Sequence, residues 1–216
     1  MISEENKEAI LLSTAYLAPI QYYCKLISYK EIFIEYFENY SKQSFRNRCT
    51  ILSANGPLSL TIPIKKIHTP KICIKDVQID HEKRWKEIHL RAIGSAYRSS
   101  AFFLYYFDEI SFVYQKNHEY LFDFNNDLQV IIMKFLGIEK EIKLTYSFKS
   151  LPFLFDDFAD SIHPKKRMNK YDDKFTPQDY FQVFEKKFGF VPNLSIIDLL
   201  FNSGPSTVEI LKESIK

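Results

Sequence analysis

The stretches that decide the fold lie near the amino terminus: Ala9-Ile-Leu-Leu-Ser13, Pro19-Ile-Gln-Tyr-Tyr-Cys-Lys-Leu-Ile27 and Glu31-Ile-Phe-Ile-Glu-Tyr-Phe37. The first is a short apolar run, which is typical of a buried strand, and the third alternates in the manner of a strand. Between them, proline stands where a helix would begin and is followed by apolar residues at helical spacing. A strand, a helix and a second strand in 37 residues predict a crossover unit and therefore an α/β fold.

The rest of the chain divides into a strand-rich part and a helix-rich part. Cys49–Ser53 and Leu58–Ile64 are apolar-rich runs separated by a link that contains Asn55-Gly56, a strong hairpin signal. Helical spacing predicts three long helices and then three shorter ones, over Trp85–Tyr97, Phe102–Tyr114, about 118–136, and near 179–188, 193–202 and 207–215.

These elements predict one domain over residues 10–216, preceded by an extension over residues 1–9. We expect a mixed sheet from the amino-terminal half (10–80) to be covered by helices from the carboxyl-terminal half (81–216). The charged, turn-rich segment 155–179 is interpreted as a connector or lid.

The scarcity of glycine excludes several nucleotide-binding motifs. The chain has 5 glycines, no two closer than 15 residues. A dinucleotide fingerprint, a P-loop and a kinase glycine loop all need clustered glycines to bring the backbone close to phosphate. Because the chain lacks such clusters, any phosphate that it binds must be held by side chains. The 46% hydrophobic and 16% aromatic residues also exclude a disordered chain.

Charge and cysteine content exclude further classes of ligand and partner. With 29 basic and 27 acidic groups, the net charge is +2, so no basic field for nucleic acid is expected. The three cysteines are widely spaced, and neither a metal site nor another cofactor is predicted. An acidic start and the absence of an 18-residue apolar run favour a cytoplasmic protein without membrane insertion.

Two polar residues lie on predicted apolar helix faces. His89 shares the inner face of its helix with Trp85 and Ile93, and a half-buried imidazole suits general acid–base catalysis. Asn125 replaces an apolar residue on the inner face of the third helix; its amide either binds a ligand or bonds another segment, because an unpaired buried amide costs about 1–3 kcal/mol. The alternative for His89 is a core histidine bonded to a backbone carbonyl.

A cationic segment precedes the predicted hairpin. It contains Lys42, Arg46, Asn47 and Arg48. In an extended chain both arginines would point to one face and Asn47 to the other, so the cations could clamp a phosphate or carboxylate. The alternative is a solvated loop whose arginines pair with acids.

Further candidates lie in two loops. The turn Ser13–Gln21, with Tyr16 and Gln21, follows the first strand, and ligands of open α/β sheets bind at such turns. An ordinary strand-to-helix connection is the alternative. His163 and Arg167 lie in a basic part of the connector, which is either a solvated surface or a lid that closes over a ligand.

Five stretches, taken together, resemble the WbqC-like protein family over roughly residues 10–215, in the form found in Bacteroidetes. The matching stretches are Leu12–Tyr23, Glu38–Cys49, Asn55–Pro63, Trp85-x-x-x-His89-x-x-x-Ile93-x-x-Ala96-Tyr97 and Phe190–Asn202. Individual positions that match the family motifs are Tyr16, Pro19, Lys42, Asn47, Arg48, Trp85, His89 and Tyr97.

The resemblance implies a role in surface polysaccharide synthesis, because founding members of the family are associated with O-antigen gene clusters. The resulting hypothesis is a transferase or modifying enzyme that acts on an activated, phosphate-bearing sugar. Lys42, Arg46 and Arg48 would hold its anionic group, His89 would be the acid–base, and Tyr16 and Tyr97 would line the sugar pocket. The alternative is a non-enzymatic binding or scaffold protein in cell-envelope assembly, with protein partners.

Overall fold

The centre of the molecule is a four-stranded parallel sheet. The computed structural model describes residues 8–151, 154–165 and 168–216. Strand β1 (Ala9–Ser13), helix α1 (Ile20–Ser28) and strand β2 (Glu31–Glu35) form the crossover unit. The sheet order is β5-β2-β1-β6, with β5 at Ile142–Leu144 and β6 at Phe155–Asp157. The prediction of a single α/β domain is confirmed.

The central strand explains the apolar opening of the sequence. All five residues of β1 are buried, because β2 and β6 flank it and both faces of the sheet are covered. Leu11 lies opposite Phe33 of β2 and Asp157 of β6. Two strands of this sheet thus come from the second half of the chain, and β6 opens the segment that was interpreted as a connector.

The antiparallel element is a separate hairpin of β3 (Arg48–Ser53) and β4 (Gly56–Thr61). Its tight turn places Gly56 opposite Ser53, and Gly56 has a φ of 101°, which glycine adopts at little cost. The predicted hairpin is confirmed, and it packs against α2 and α6.

Helices from the second half cover the sheet and the hairpin. The long ones are α2 (Trp85–Tyr97), α3 (Phe103–Gln115) and α4 (Leu121–Phe135), and the shorter ones are α5 (Glu185–Phe188), α6 (Ile196–Ser203) and α7 (Thr207–Glu213). Short 3₁₀ turns occur at Ile74–Asp76 and Gly204–Ser206. Among the described residues, no helix is both long and apolar enough to cross a membrane.

The helix predicted near 179–188 forms only one turn, α5. The preceding residues are held in another conformation by Gln182, whose side chain donates to the carbonyl of Val191 and accepts from its N–H, both at 2.9 Å. A side chain that satisfies a distant backbone in this way competes with helix formation.

Candidate functional site

The carboxyl ends of β1, β2 and β6 meet at one edge of the parallel sheet. Ser13, Glu35 and Asp157 end these strands, and loops from all three continue into a group of polar side chains that is buried except for Asp160. We call this group the carboxyl-edge site; its members are Thr14, Glu38, Arg46, Asn125, Asp160 and His163. Ligands of open α/β sheets bind at this edge.

A buried ion pair forms the middle of the site. Arg46 donates through Nε to Glu38 Oε1 at 2.7 Å, and through Nη2 to Glu38 Oε2. Both side chains are almost fully buried. This two-point geometry is the strongest form of the arginine–carboxylate interaction, and it fixes the loop after β2 against the segment that leads into β3.

Burial raises the pKa of Glu38 to about 7, although the Arg46 guanidinium acts to lower that pKa. The carboxyl therefore changes its charge near neutral pH. Groups that transfer protons in enzymes commonly have a pKa in this range, because both protonation states are then available.

The raised pKa predicts a pH-dependent stability. A carboxyl whose folded pKa is about 7 rather than 4.5 contributes stability that is present below pH 4.5 and is lost as pH rises through 7. We expect the stability of the parent, relative to that of Glu38→Gln, to fall by at most about 3 kcal/mol between pH 5 and pH 8. Urea unfolding across this pH range measures the difference, and Glu82→Gln, at an exposed position, is the control. Parallel curves for the parent and Glu38→Gln would contradict the prediction.

An exposed carboxylate lies at the outer side of the ion pair. Asp160 Oδ1 accepts from Arg46 Nη2 at 3.0 Å, and its side chain is 63% exposed. Lys149 Nζ lies 4.0 Å from Asp160 Oδ2 and 2.7 Å from Asp157 Oδ2. Arginine and lysine thus approach one exposed acidic side chain from two directions.

His163 borders the same cations. Burial lowers its pKa, and the charges of Arg46 and Lys165 lower it further, so the imidazole is neutral at pH 7. Its Nδ1 accepts from the backbone N–H of Lys165 at 3.0 Å. Its Nε2 is buried and has no hydrogen-bond partner among the described residues.

Two buried amides adjoin Arg46, Asn47 as its neighbour in the chain and Asn125 through a hydrogen bond. Asn125 Nδ2 donates to Thr14 Oγ1 at 3.2 Å and to the carbonyl of Arg46 at 2.8 Å. Asn47 Nδ2 donates to the carbonyl of Ile62 at 2.8 Å. In the described part of the chain, Oδ1 of neither amide has a partner, which leaves two buried acceptors for a hydroxyl or amino group.

The turn that carries Thr14 is held in an unfavourable conformation. Leu17 has a φ of 40°, in the left-handed region, where a residue other than glycine is strained by about 1–3 kcal/mol. Two bonds from the start of α6 fix the turn: Ser195 Oγ donates to the carbonyl of Leu17 at 2.7 Å, and Ile196 N–H donates to that of Ala18 at 2.9 Å. Strain of this kind is concentrated at functional sites.

Beside the carboxyl-edge site, the structure brings Tyr16 and His89 together in the core. The Tyr16 hydroxyl lies 2.8 Å from His89 Nδ1 and 2.5 Å from the Tyr114 hydroxyl. Burial lowers the pKa of His89 to about 4, although the carbonyl of Thr61 accepts a hydrogen bond from the ring. With Nδ1 beside the Tyr16 hydroxyl, the ring can reach Thr61 through Nε2–H, and in that tautomer Nδ1 accepts a hydrogen bond from Tyr16.

This arrangement matches a core histidine more closely than an acid–base. At pH 7 the imidazole is neutral, and Trp85 and Phe124 pack around the Tyr16–His89 pair. The catalytic role of His89 stays a prediction that the geometry does not favour.

Other candidate residues lie apart from the site. Tyr97 donates to Asp198 at 2.7 Å in the core, and Gln21 donates to Asp172 at 2.8 Å. Arg48 begins β3, and its Nε donates to Thr61 Oγ1 at 3.2 Å, whereas Lys42 is exposed. Arg167 lies outside the described residues. Of the three predicted cations, only Arg46 is therefore a member of the carboxyl-edge site.

Sequence reasoning missed Glu38, Thr14, Lys149 and Asp160. Glu38 lies in a polar stretch of sequence that gives no sign of burial, and the structure shows it buried against Arg46. A usable signal existed: Glu38 and Thr14 follow the first two predicted strands directly, at the edge where ligands are expected. The described residues contain no group of three or more His, Cys, Asp or Glu side chains that could hold a metal ion.

Comparison with known proteins gives a family and one distant relative. The model of the WbqC-like protein family matches residues 15–171. The uncharacterised protein Rv1507c of Mycobacterium tuberculosis is 24% identical over 228 aligned positions, which cover 95% of this chain and 98% of that protein. No solved structure matches the chain significantly.

Proposed function

The chain belongs to the WbqC-like protein family, and on that basis we propose that it is a transferase-like enzyme acting on an activated, phosphate-bearing sugar in surface polysaccharide synthesis. The observation that supports an enzyme best is the pairing of Glu38 with Arg46, a buried carboxyl held by a guanidinium at the carboxyl edge of a parallel sheet. The polysaccharide context rests on the family resemblance.

Arg46 and Lys149 are the proposed phosphate ligands. Both approach the exposed carboxylate of Asp160, which occupies the position that a phosphate oxygen would take. Binding requires Asp160 to move aside, and a side chain that is 63% exposed can do so without disturbing the core. A phosphate carries more charge than one carboxylate, so it competes favourably for arginine.

Glu38 is the proposed acid–base. In the transfer step, a hydroxyl oxygen of the acceptor forms a bond to the activated carbon of the sugar, and its proton passes to the Glu38 carboxylate. The bond from that carbon to the phosphate oxygen breaks, and its electron pair stays on the phosphate, whose charge Arg46 stabilises. The unpaired acceptor atoms of Asn47 and Asn125 supply partners for sugar hydroxyls.

Asp160→Asn is expected to tighten phosphate binding, because it removes the carboxylate that competes for Arg46. We expect a gain of about five- to tenfold in affinity for inorganic phosphate and for UDP-glucose, which corresponds to roughly 1 kcal/mol. Isothermal titration of the parent and the variant measures it. Asp173→Asn, at an exposed position, removes the same charge elsewhere and is the matched control.

Equal affinities for the parent and both variants would contradict the proposed phosphate site. That result would favour the second candidate, a non-enzymatic scaffold in cell-envelope assembly. The observation that favours a scaffold is the outer side of α3, where Leu104 is 82%, Tyr105 75% and Phe112 57% exposed. Large apolar side chains exposed together are a feature of protein interaction surfaces.

A further inference from the structure

A groove of about 370 Å³ runs along the outer face of α2 and reaches the start of α3. Arg91, Gly94 and Ser95 of α2 line it, together with Arg98, which directly follows the helix. Their spacing of three, four and seven residues places them on one side of the helix. The groove shares no residue with the carboxyl-edge site.

The charge of this groove is uncompensated. Among the residues that the structure describes, its lining contains Arg91 and Arg98 and no acidic residue. In the described ranges 8–151, 154–165 and 168–216, neither arginine forms an ion pair or a side-chain hydrogen bond, and both are exposed. Ten guanidinium N–H donors are therefore available beside one hollow.

Gly94 forms the floor of the hollow between the two arginines. Glycine in the middle of a helix weakens the helix, so it needs a local reason. Close packing does not supply one, because a Cβ atom added at Gly94 would meet no atom of the described residues within 4 Å. Because Gly94 has no side chain, the space between Arg91 and Arg98 stays open.

One wall of the groove is apolar. Leu90, Phe103 and Phe107 contribute to it, and the two phenylalanine rings stack with their centroids 4.5 Å apart. A ligand that fits both features carries negative charge at one end and an uncharged organic body at the other.

We propose that this groove binds an organic diphosphate. Seven positions in helical conformation separate the arginines by about 10.5 Å along the axis, and their side chains are long enough for both to reach a ligand over Gly94. Each guanidinium can bind two oxygens of one phosphoryl group, and the Ser95 hydroxyl adds a donor between them. The organic body lies against Leu90 and the phenylalanines.

The test is isothermal titration with three probes: UDP, geranyl diphosphate and inorganic pyrophosphate. We expect at least one of the two organic diphosphates to bind at least tenfold more tightly than pyrophosphate, and which of them does so separates a nucleoside body from an aliphatic one. Arg91→Ala/Arg98→Ala should weaken that binding at least tenfold. Lys66→Ala/Lys71→Ala, which removes two exposed cations elsewhere, should not.

Gly94→Leu separates a binding defect from a folding defect. Leucine fills the hollow and favours the helix, so we expect the variant to lose binding at least tenfold while its Tm rises by about 2–3 °C. The double variant Arg46→Met/Glu38→Leu lacks the proposed phosphate site at the carboxyl edge. Titrations of this variant should still show binding to the groove. Binding that survives Gly94→Leu, disappears in that double variant, or is equally tight for pyrophosphate overturns the proposal.

Discussion

Replacing Arg46 by methionine is expected to lower the free energy of unfolding by about 3–5 kcal/mol, because it leaves the buried Glu38 carboxyl without its partner. Arg46 and Glu38 are both almost fully buried and form a two-point contact. An uncompensated charge in such a position must either remain desolvated or take up a proton. Urea unfolding at pH 7 measures the loss.

The double variant Arg46→Met/Glu38→Leu tests the cause of that loss. Exchanging a whole buried ion pair for apolar side chains of similar volume is often neutral or stabilising, so the double variant should unfold close to the parent. Arg84→Met, which breaks the exposed Arg84–Glu87 pair, should change little. A double variant as unstable as Arg46→Met would mean that the pair has a different structural role. Under the proposed function, phosphate binding at this edge is lost in both.

Replacing Gly204 by alanine is expected to destabilise the fold by about 3–5 kcal/mol, the sum of backbone strain and overpacking. Gly204 ends α6 with a φ of 52° and a ψ of −126°, a conformation that L side chains rarely adopt. An added Cβ atom would lie 2.5 Å from Cγ of Phe102. Thermal unfolding of the variant measures the combined effect.

Two further variants separate the causes. Phe102→Ala/Gly204→Ala relieves the clash but keeps the strain, so it should recover only part of the loss. Gly94→Ala should instead stabilise the fold by about 0.5–1 kcal/mol, since its Cβ meets no atom within 4 Å in the part of the chain that the structure describes. A Gly204→Ala protein that melts with the parent would contradict the described packing of Phe102.

The crossover unit, helix α2 and the hairpin could be predicted from the sequence, because local sequence patterns determine them. The crossover unit was readable because β1 is buried on both faces and α1 and β2 have their own periodicities. Helix α2 was predicted at its observed bounds, Trp85–Tyr97, because its buried residues recur with a clear helical period. The hairpin followed from Asn55-Gly56 between two apolar runs.

Strands β5 and β6 were not predictable in this way. Each has three residues, and neither Ile-Lys-Leu nor Phe-Asp-Asp alternates long enough to indicate a strand. They are extended because β2 and β1 offer unpaired backbone groups at their outer edges. Such pairing is a tertiary effect, which overrides weak local preference.

The same distinction applies to the carboxyl-edge site. Asn125 was a candidate because an amide on an apolar helix face is unusual, and Arg46 and His163 were candidates because each lies in a cationic segment that could contact an anionic ligand. Glu38 and Asp160 were not, since acids in bends and loops are ordinarily solvated. Glu38 is a candidate functional residue because it is buried against Arg46. The sequence does not show that the segments carrying these two side chains come into contact.

The sheet order also has a consequence for biosynthesis. Strands β1 and β2 are translated first, yet the strands that flank them, Ile142–Leu144 and Phe155–Asp157, emerge from the ribosome only after most of the helices. Until then the central pair has two open edges, which can associate with other chains. Nascent chains that stall before residue 158 should consequently aggregate or depend on chaperones, and full-length refolding should be slow because the pairing is non-local.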